Sequence, residues 1–271
     1  MELATPQRVA DSQGITLLGP CGGGEFGAFY GRTPDGTDVV LKVRGMWWLP
    51  LMERGSQQCE RARAKGYPAP GSLGIGVVDD TAWSLQERCP GSLVDGFGTR
   101  HVDQMLELLP LQEGSGLASR PLWNPADAGD VAVQLEALRA FGPVTRAMAD
   151  ECEELMRSSC DLQVPADGIR HGDFHHRNVL FDDDQLTAVI DWEGASAGDY
   201  RFDALLLALS APEPAADRAL AVARSLLSDQ ELAGYAAQFA LGRLEFYLRV
   251  YPGQADGIVA EFDSGVARHW R

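Results

Sequence analysis

Between Ile15 and Val43 the chain alternates short runs of β-branched and aromatic residues with a glycine cluster, and then with Thr33-Pro34-Asp35-Gly36-Thr37. Pro-Asp-Gly suits a tight turn, so the segment predicts three antiparallel strands joined by hairpins. Leu51 to Lys65 reads as a helix, closed by Gly66 and by Pro68 and Pro70, which cannot continue it. Two more strands are predicted in LGIGVVDDTAWSLQERCPG, turning at Asp79-Asp80. Beyond Gly91 the pattern becomes helical. Val102, Met105, Leu106 and Leu109 fall at i, i+3, i+4 and i+7, with Pro110 as terminator. Pro143 after Gly142 opens another helix, whose face carries Val144, Met148, Cys152 and Leu155. Ser228 and Glu231 form a capping box ahead of a helix that runs to Tyr251. Residues 109–130 show no period and read as a loop, the kind of segment that carries specificity.

Composition narrows the classes. With 271 residues and 45% hydrophobic positions, the chain can bury one large core or two small ones. No apolar run is long enough for a membrane helix. Five cysteines without CxxC spacing, and an N-terminus without a charged region followed by an apolar one, predict a reduced, cytoplasmic protein. A formal charge of −16 argues against a nucleic-acid partner and leaves a cationic one open, although excess acid is ordinarily solvated surface. Arginine dominates the basic residues; Lys42 and Lys65 are the only lysines.

The densest chemistry lies in HGDFHHRNVLFDDDQLTAVIDWEGA, residues 171–195. Val179-Leu180 and the run ending at Asp191 form two short strands across the acidic turn, a hairpin that brings Asn178 and Asp191 together at its open end. An amide oxygen and a carboxylate are hard ligands suited to Mg²⁺. Asp173 starts the same loop, within reach of an incoming hydroxyl. Zinc fits poorly: His175 and His176 are adjacent on a loop, and no HxxxH or cysteine pair completes a set. Asp182 to Asp184 read as a solvated turn. Glu193 is expected on the acceptor side of the metal, as a ligand for a substrate ammonium or as a brace. Trp123, in the irregular segment, is a candidate for lining the substrate site.

The order H-G-D-x-x-x-x-N followed by I-D-W resembles the signature of the aminoglycoside phosphotransferase and choline kinase family, relatives of the protein kinases. The resemblance implies that Asp173 contacts the acceptor hydroxyl, Asn178 and Asp191 hold magnesium, and ATP is the donor. His171 would brace the loop. GDYRFDAL resembles a further family stretch, matching Asp199 and Asp203; Asp203 would be structural, and Asp199 is placed with the substrate-binding candidates. Gly22, Gly23 and Gly24 would form the turn over the phosphates. Lys42, alone on its strand in an arginine-rich chain, would contact them as a compact charge. LQERCPG resembles the family's hinge, with backbone groups of Glu87 to Cys89 meeting the adenine. Glu53 and Glu60, two helical turns apart, are the candidate partners for Lys42.

The expected fold is α+β and two-lobed, protein-kinase-like: residues 1–91 a small antiparallel β lobe with one helix that binds nucleotide, residues 92–271 a larger, mainly helical lobe with the catalytic loop, metal and substrate sites. The expected reaction is ATP- and Mg²⁺-dependent phosphorylation of a hydroxyl on a cationic small molecule. An antibiotic heads the acceptors, either an aminoglycoside or a tuberactinomycin-type peptide such as capreomycin or viomycin. A metabolic kinase for choline, homoserine, a sugar or a glycated amine shares the motif, and a nucleotide-binding pseudokinase is the non-catalytic alternative.

Overall fold

A computed structural model describes residues 5–22, 27–122, 128–255, 257, 259 and 260. By contact the chain divides into two compact units, Met1–Gln112 with Ile169–Ala197, and Glu113–Gly168 with Gly198–Arg271. The hairpin bearing Asp173 to Asp191 thus packs into the same unit as the N-terminal strands, a division different in kind from a lobe boundary at Gly91.

The first unit opens with α1 (Pro6–Ser12), which the sequence reading passed over. Its signal is local: the Thr5 hydroxyl accepts from Arg8 N–H at 3.3 Å, and Pro6 sits where a helix needs no donor. Strands β1 (Thr16–Pro20), β2 (Ala28–Arg32), β3 (Asp38–Gly45), β4 (Ser72–Val78) and β5 (Thr81–Glu87) form one antiparallel sheet in the order β1-β2-β3-β5-β4. Alternation on β3 sorts its two faces. Val39 and Leu41 join Val9, Ala10, Ile15 and Leu85 in a core under α1, which leaves Lys42 to the opposite face.

On that opposite side runs α2 (Leu49–Arg63), burying Met52, Gly55, Gln58, Cys59 and Ala62. Gly55 is a contact requirement: a Cβ there would lie 2.3 Å from the Trp192 carbonyl oxygen. The Trp192–Gly194 turn therefore seats directly on the helix backbone. Trp192 itself is buried, donates from Nε1 to Val189 O at 2.9 Å, and meets Tyr67 edge-on at 5.5 Å between centroids.

The acidic hairpin forms as expected, with strands Val179–Asp182 and Gln185–Val189. Asp183 and Asp184 both take positive φ, 45° and 62°, as a two-residue turn of the primed kind demands. The turn is not simply solvated. Asp184 accepts from Gln104 Nε2 through its carbonyl at 2.9 Å, and its carboxylate pairs with Arg100 and His101. Those partners belong to α3 (Thr99–Leu106). Pro110 opens a short helix, Leu109–Gln112, rather than only ending the preceding one.

In the second unit, helices Ala128–Phe141, Pro143–Ser158 and Asp229–Val250 share a core that includes Leu138, Met148, Cys152, Met156, Leu241 and Leu244. The expected face of Pro143–Ser158 is rotated slightly, leaving Val144 exposed and burying Met156. The capping box is present: Glu231 Oε2 accepts from Ser228 N–H at 2.8 Å and the Ser228 hydroxyl accepts from Glu231 N–H at 3.3 Å. Within the segment read as a loop, Ser119–Pro121 pairs as a strand with Gln163–Pro165. Among the described residues no helix is long and apolar enough to cross a membrane.

Gly55→Ala should destabilise the protein by about 1–3 kcal/mol, because the helix must lift off the turn or strain the backbone. Urea unfolding measures this; an unchanged midpoint would show that α2 is not seated on Trp192.

Candidate active site

Lys42 is the only side chain of β3 that carries a buried charge. Its Nζ lies 2.6 Å from Asp191 Oδ1, and 2.7 and 2.9 Å from the two oxygens of Glu193. Burial pulls the ammonium down, but Glu193 and Asp191 outweigh it and hold Lys42 above its ordinary range. Lys42 in turn holds Asp191 far below the usual carboxylate range, whereas burial pushes the Glu193 carboxyl up. Asp191 has left-handed backbone angles, φ 69° and ψ 59°, which turn the chain sharply at the strand end and carry Glu193 back toward Lys42.

The hairpin sets the remaining groups. Val179 pairs with Val189, and the Asn178 carbonyl accepts from Ile190 N–H at 2.8 Å, so Asn178 stands opposite the residue before Asp191. Asn178 Nδ2 donates to the Asp173 carbonyl at 2.9 Å and to Asp173 Oδ2 at 2.8 Å. With its nitrogen committed, the amide offers its oxygen as an acceptor. His171 is fully buried: Nδ1 accepts from Asp173 N–H at 3.2 Å and Nε2 lies 3.1 Å from Ile190 O. An accepting Nδ1 assigns the proton to Nε2, so His171 is a neutral brace between loop and strand. Gly172, at φ 79°, permits the fit, since a Cβ would meet Gly194 O at 2.5 Å.

Asp173 Oδ1 lies 3.3 Å from His175 Nε2. Burial pushes the Asp173 carboxyl up, but the hydrogen bond from His175 and the neighbouring imidazoles more than offset it and leave the group below its ordinary range. Asp173 is thus an oriented carboxylate at neutral pH. The sequence reading considered His175 only as a zinc ligand and missed this role; its place two residues after Asp173 was the available signal.

A family model described as "Phosphotransferase enzyme family" matches residues 22–247. The chain belongs to this family. A sequence comparison with curated proteins finds no match. Among solved structures, the phosphotransferase is similar to a thermostable mutant of the aminoglycoside phosphotransferase APH(4)-Ia crystallised with ADP and hygromycin B, at 18% identity and TM-score 0.69, covering 96% of this chain and 97% of that one. It is also similar to the macrolide 2′-phosphotransferase MphH from Brachybacterium faecium, at 19% identity and TM-score 0.62, over 93% and 95% of the two chains. A third similar structure is the amicoumacin kinase hAmiN in complex with AMP-PNP, Ca²⁺ and Ami, at 13% identity and TM-score 0.66, over 96% and 94%. These likenesses show the α+β, protein-kinase-like fold, with an antiparallel sheet lobe and a helical lobe.

Several expected site residues lie elsewhere in the phosphotransferase. Glu53 and Glu60 do not reach Lys42. The stripe Met52–Gly55–Gln58–Cys59–Ala62 faces inward, and one residue further along turns each glutamate about a quarter-turn off it. Both are exposed; Glu60 accepts from Ser72 N–H at 3.1 Å. Glu193, expected to meet substrate, is paired with Lys42 instead. Asp199 is not available to substrate either: it is buried in the second unit, bound by Arg201 at 2.7 Å and by the Tyr235 hydroxyl at 2.8 Å, and Arg201 also reaches Glu231 at 2.8 Å. Asp203 is fully buried nearby on helix Arg201–Ser210. At the expected hinge, Glu87 N–H donates to Gly71 O at 2.9 Å while its carboxylate holds Arg63, and Cys89 is half-buried. Gly22 is exposed at the end of β1; Gly23, Gly24 and Trp123 lie outside the described residues.

Asp199→Ala should cost about 3 kcal/mol by stripping Arg201 of its closest carboxylate, while leaving the KM for any acceptor unchanged. Chemical denaturation and steady-state kinetics separate the two; a raised acceptor KM without loss of stability would return Asp199 to the substrate site.

Proposed function

We propose that this phosphotransferase moves the γ-phosphoryl group of ATP to a hydroxyl of a cationic small molecule, with Mg²⁺, and that the acceptor is an antibiotic. One observation carries the reading: the buried Lys42 ammonium meets Asp191 at 2.6 Å, at the end of the hairpin whose other strand follows Asn178, itself bonded to Asp173. A lysine, two hard oxygen ligands and an oriented carboxylate are the parts phosphoryl transfer uses.

The donor set fits magnesium. Among the described residues no three His, Cys, Asp or Glu side chains gather as a closed metal cage. Asn178 and Asp191 instead offer two oxygens, as suits an ion that takes its other ligands from phosphates and water. When bound, such an ion would neutralise charge on the nucleotide's phosphates. Lys42 holds the phosphates. Asp173 orients the acceptor hydroxyl and takes its proton as the oxygen–phosphorus bond forms and the bond to ADP breaks. A carboxylate held at low pKa is a weak base, but a loose transition state asks more for aim than for early proton removal. His171 and His175 keep that aim. Residues 1–91 act as the nucleotide-binding lobe and 92–271 supply the catalytic loop, metal ligands and acceptor site.

The acceptor class draws support from the similar structures, whose descriptions name hygromycin B, a macrolide phosphotransferase and amicoumacin. The formal charge of −16 suits a cationic drug, an aminoglycoside or tuberactinomycin-type peptide. Phosphorylation would then add negative charge to a molecule that binds RNA through positive charge.

The test is ADP release from Mg-ATP across a panel of aminoglycosides, tuberactinomycins, macrolides and metabolic alcohols. Turnover on an antibiotic is expected, with Asp173→Asn lowering kcat by about 100- to 10,000-fold. Turnover confined to choline, homoserine or a sugar would make the protein a metabolic kinase; nucleotide binding with no turnover would make it a pseudokinase.

A further inference from the structure

The Lys42 ammonium has two carboxylate neighbours, and their exposures differ sharply. The Asp191 side chain is 46% exposed, the Glu193 side chain 9%. Only Asp191 therefore has an open side for a further ligand. Glu193 spends both oxygens on Lys42, at 2.7 and 2.9 Å, and lies too deep to greet a substrate ammonium. Resting on the reading above, we infer that Glu193 is the positioning residue for Lys42, filling the place expected of a glutamate on α2.

The helix explains the exchange. Where an inward glutamate would need a Cβ, α2 presents Gly55 against the Trp192 carbonyl, and its own glutamates point outward. The same close approach fixes the Trp192–Gly194 turn, so Glu193 projects from a segment clamped between α2 on one side and Gly172 on the other. A small cavity of about 10 Å³ adjoins the carboxylate, with Ser72, Ser84 and Gln86 on its wall beside apolar Met52, Ile75 and Trp192. It holds one water at most. Lys42 can then keep one carboxylate while Asp191 turns its oxygens to metal. Position and metal binding are divided between two residues of one turn.

Calorimetric titration of AMP-PNP with Mg²⁺ into the full chain and its variants tests this. Glu193→Gln should weaken nucleotide binding at least tenfold, about as much as Lys42→Ala, and the double variant should bind no more weakly than Lys42→Ala alone, because one residue acts through the other. Glu193→Asp, which keeps the charge one methylene short, should recover part of the affinity and guards against a Gln variant that fails to fold. Additive losses in the double variant would overturn the inference. So would nucleotide affinity unchanged in Glu193→Gln with a raised acceptor KM, which would restore a substrate role. Wild-type protein that bound no nucleotide would instead overturn the phosphotransfer reading beneath it.

Discussion

A buried ammonium ion governs the first unit. Removing a charge from water costs several kcal/mol, so Lys42 can stand at the inner face of β3 only if carboxylates meet it. They arrive from a segment 149 to 151 residues away, and the sheet and the hairpin are thereby joined at one point. Everything around that point serves the approach: alternation on β3 aims Lys42 away from the Val39–Leu41 core, and the left-handed Asp191 reverses the chain so that two acids two positions apart face one cation.

The backbone around the site is held by close contacts that admit no side chain. Gly55 and Gly172 each lie against a carbonyl of the Trp192–Gly194 turn, and Trp192 anchors that turn through Val189 and Tyr67. His171 ties the Asp173 loop to the strand leading into Asp191. A shift in any one of these would move both Asp173 and Asp191, which gives the neutral, buried histidine a function without proton transfer.

Local signals in the sequence carried far. Hairpins marked by Pro-Asp-Gly and by paired acidic residues, the capping box at Ser228, and the Asn178–Asp191 juxtaposition depend on neighbours a few residues apart or on a single strand pairing, and each could be read. What failed depended on rotation and long-range packing. Glu53 and Glu60 share a helical face, but nothing local says that the face turns outward; that follows from Gly55 meeting a turn distant in the chain. Asp199 reads in GDYRFDAL as a substrate-binding candidate, and only its burial beside Arg201 and Tyr235 shows it as a structural charge. Pro110 was read as a stop because a proline ends one helix and begins another with equal ease.

The central claim is transfer of a phosphoryl group to a hydroxyl at the site built on Lys42, Asp173, Asn178 and Asp191. Incubation with γ-labelled ATP, Mg²⁺ and a cationic antibiotic, followed by separation of products, tests it most directly. The account predicts label on the antibiotic as a phosphate ester. Label found only in ATP or inorganic phosphate, across antibiotics and metabolic alcohols alike, would contradict it.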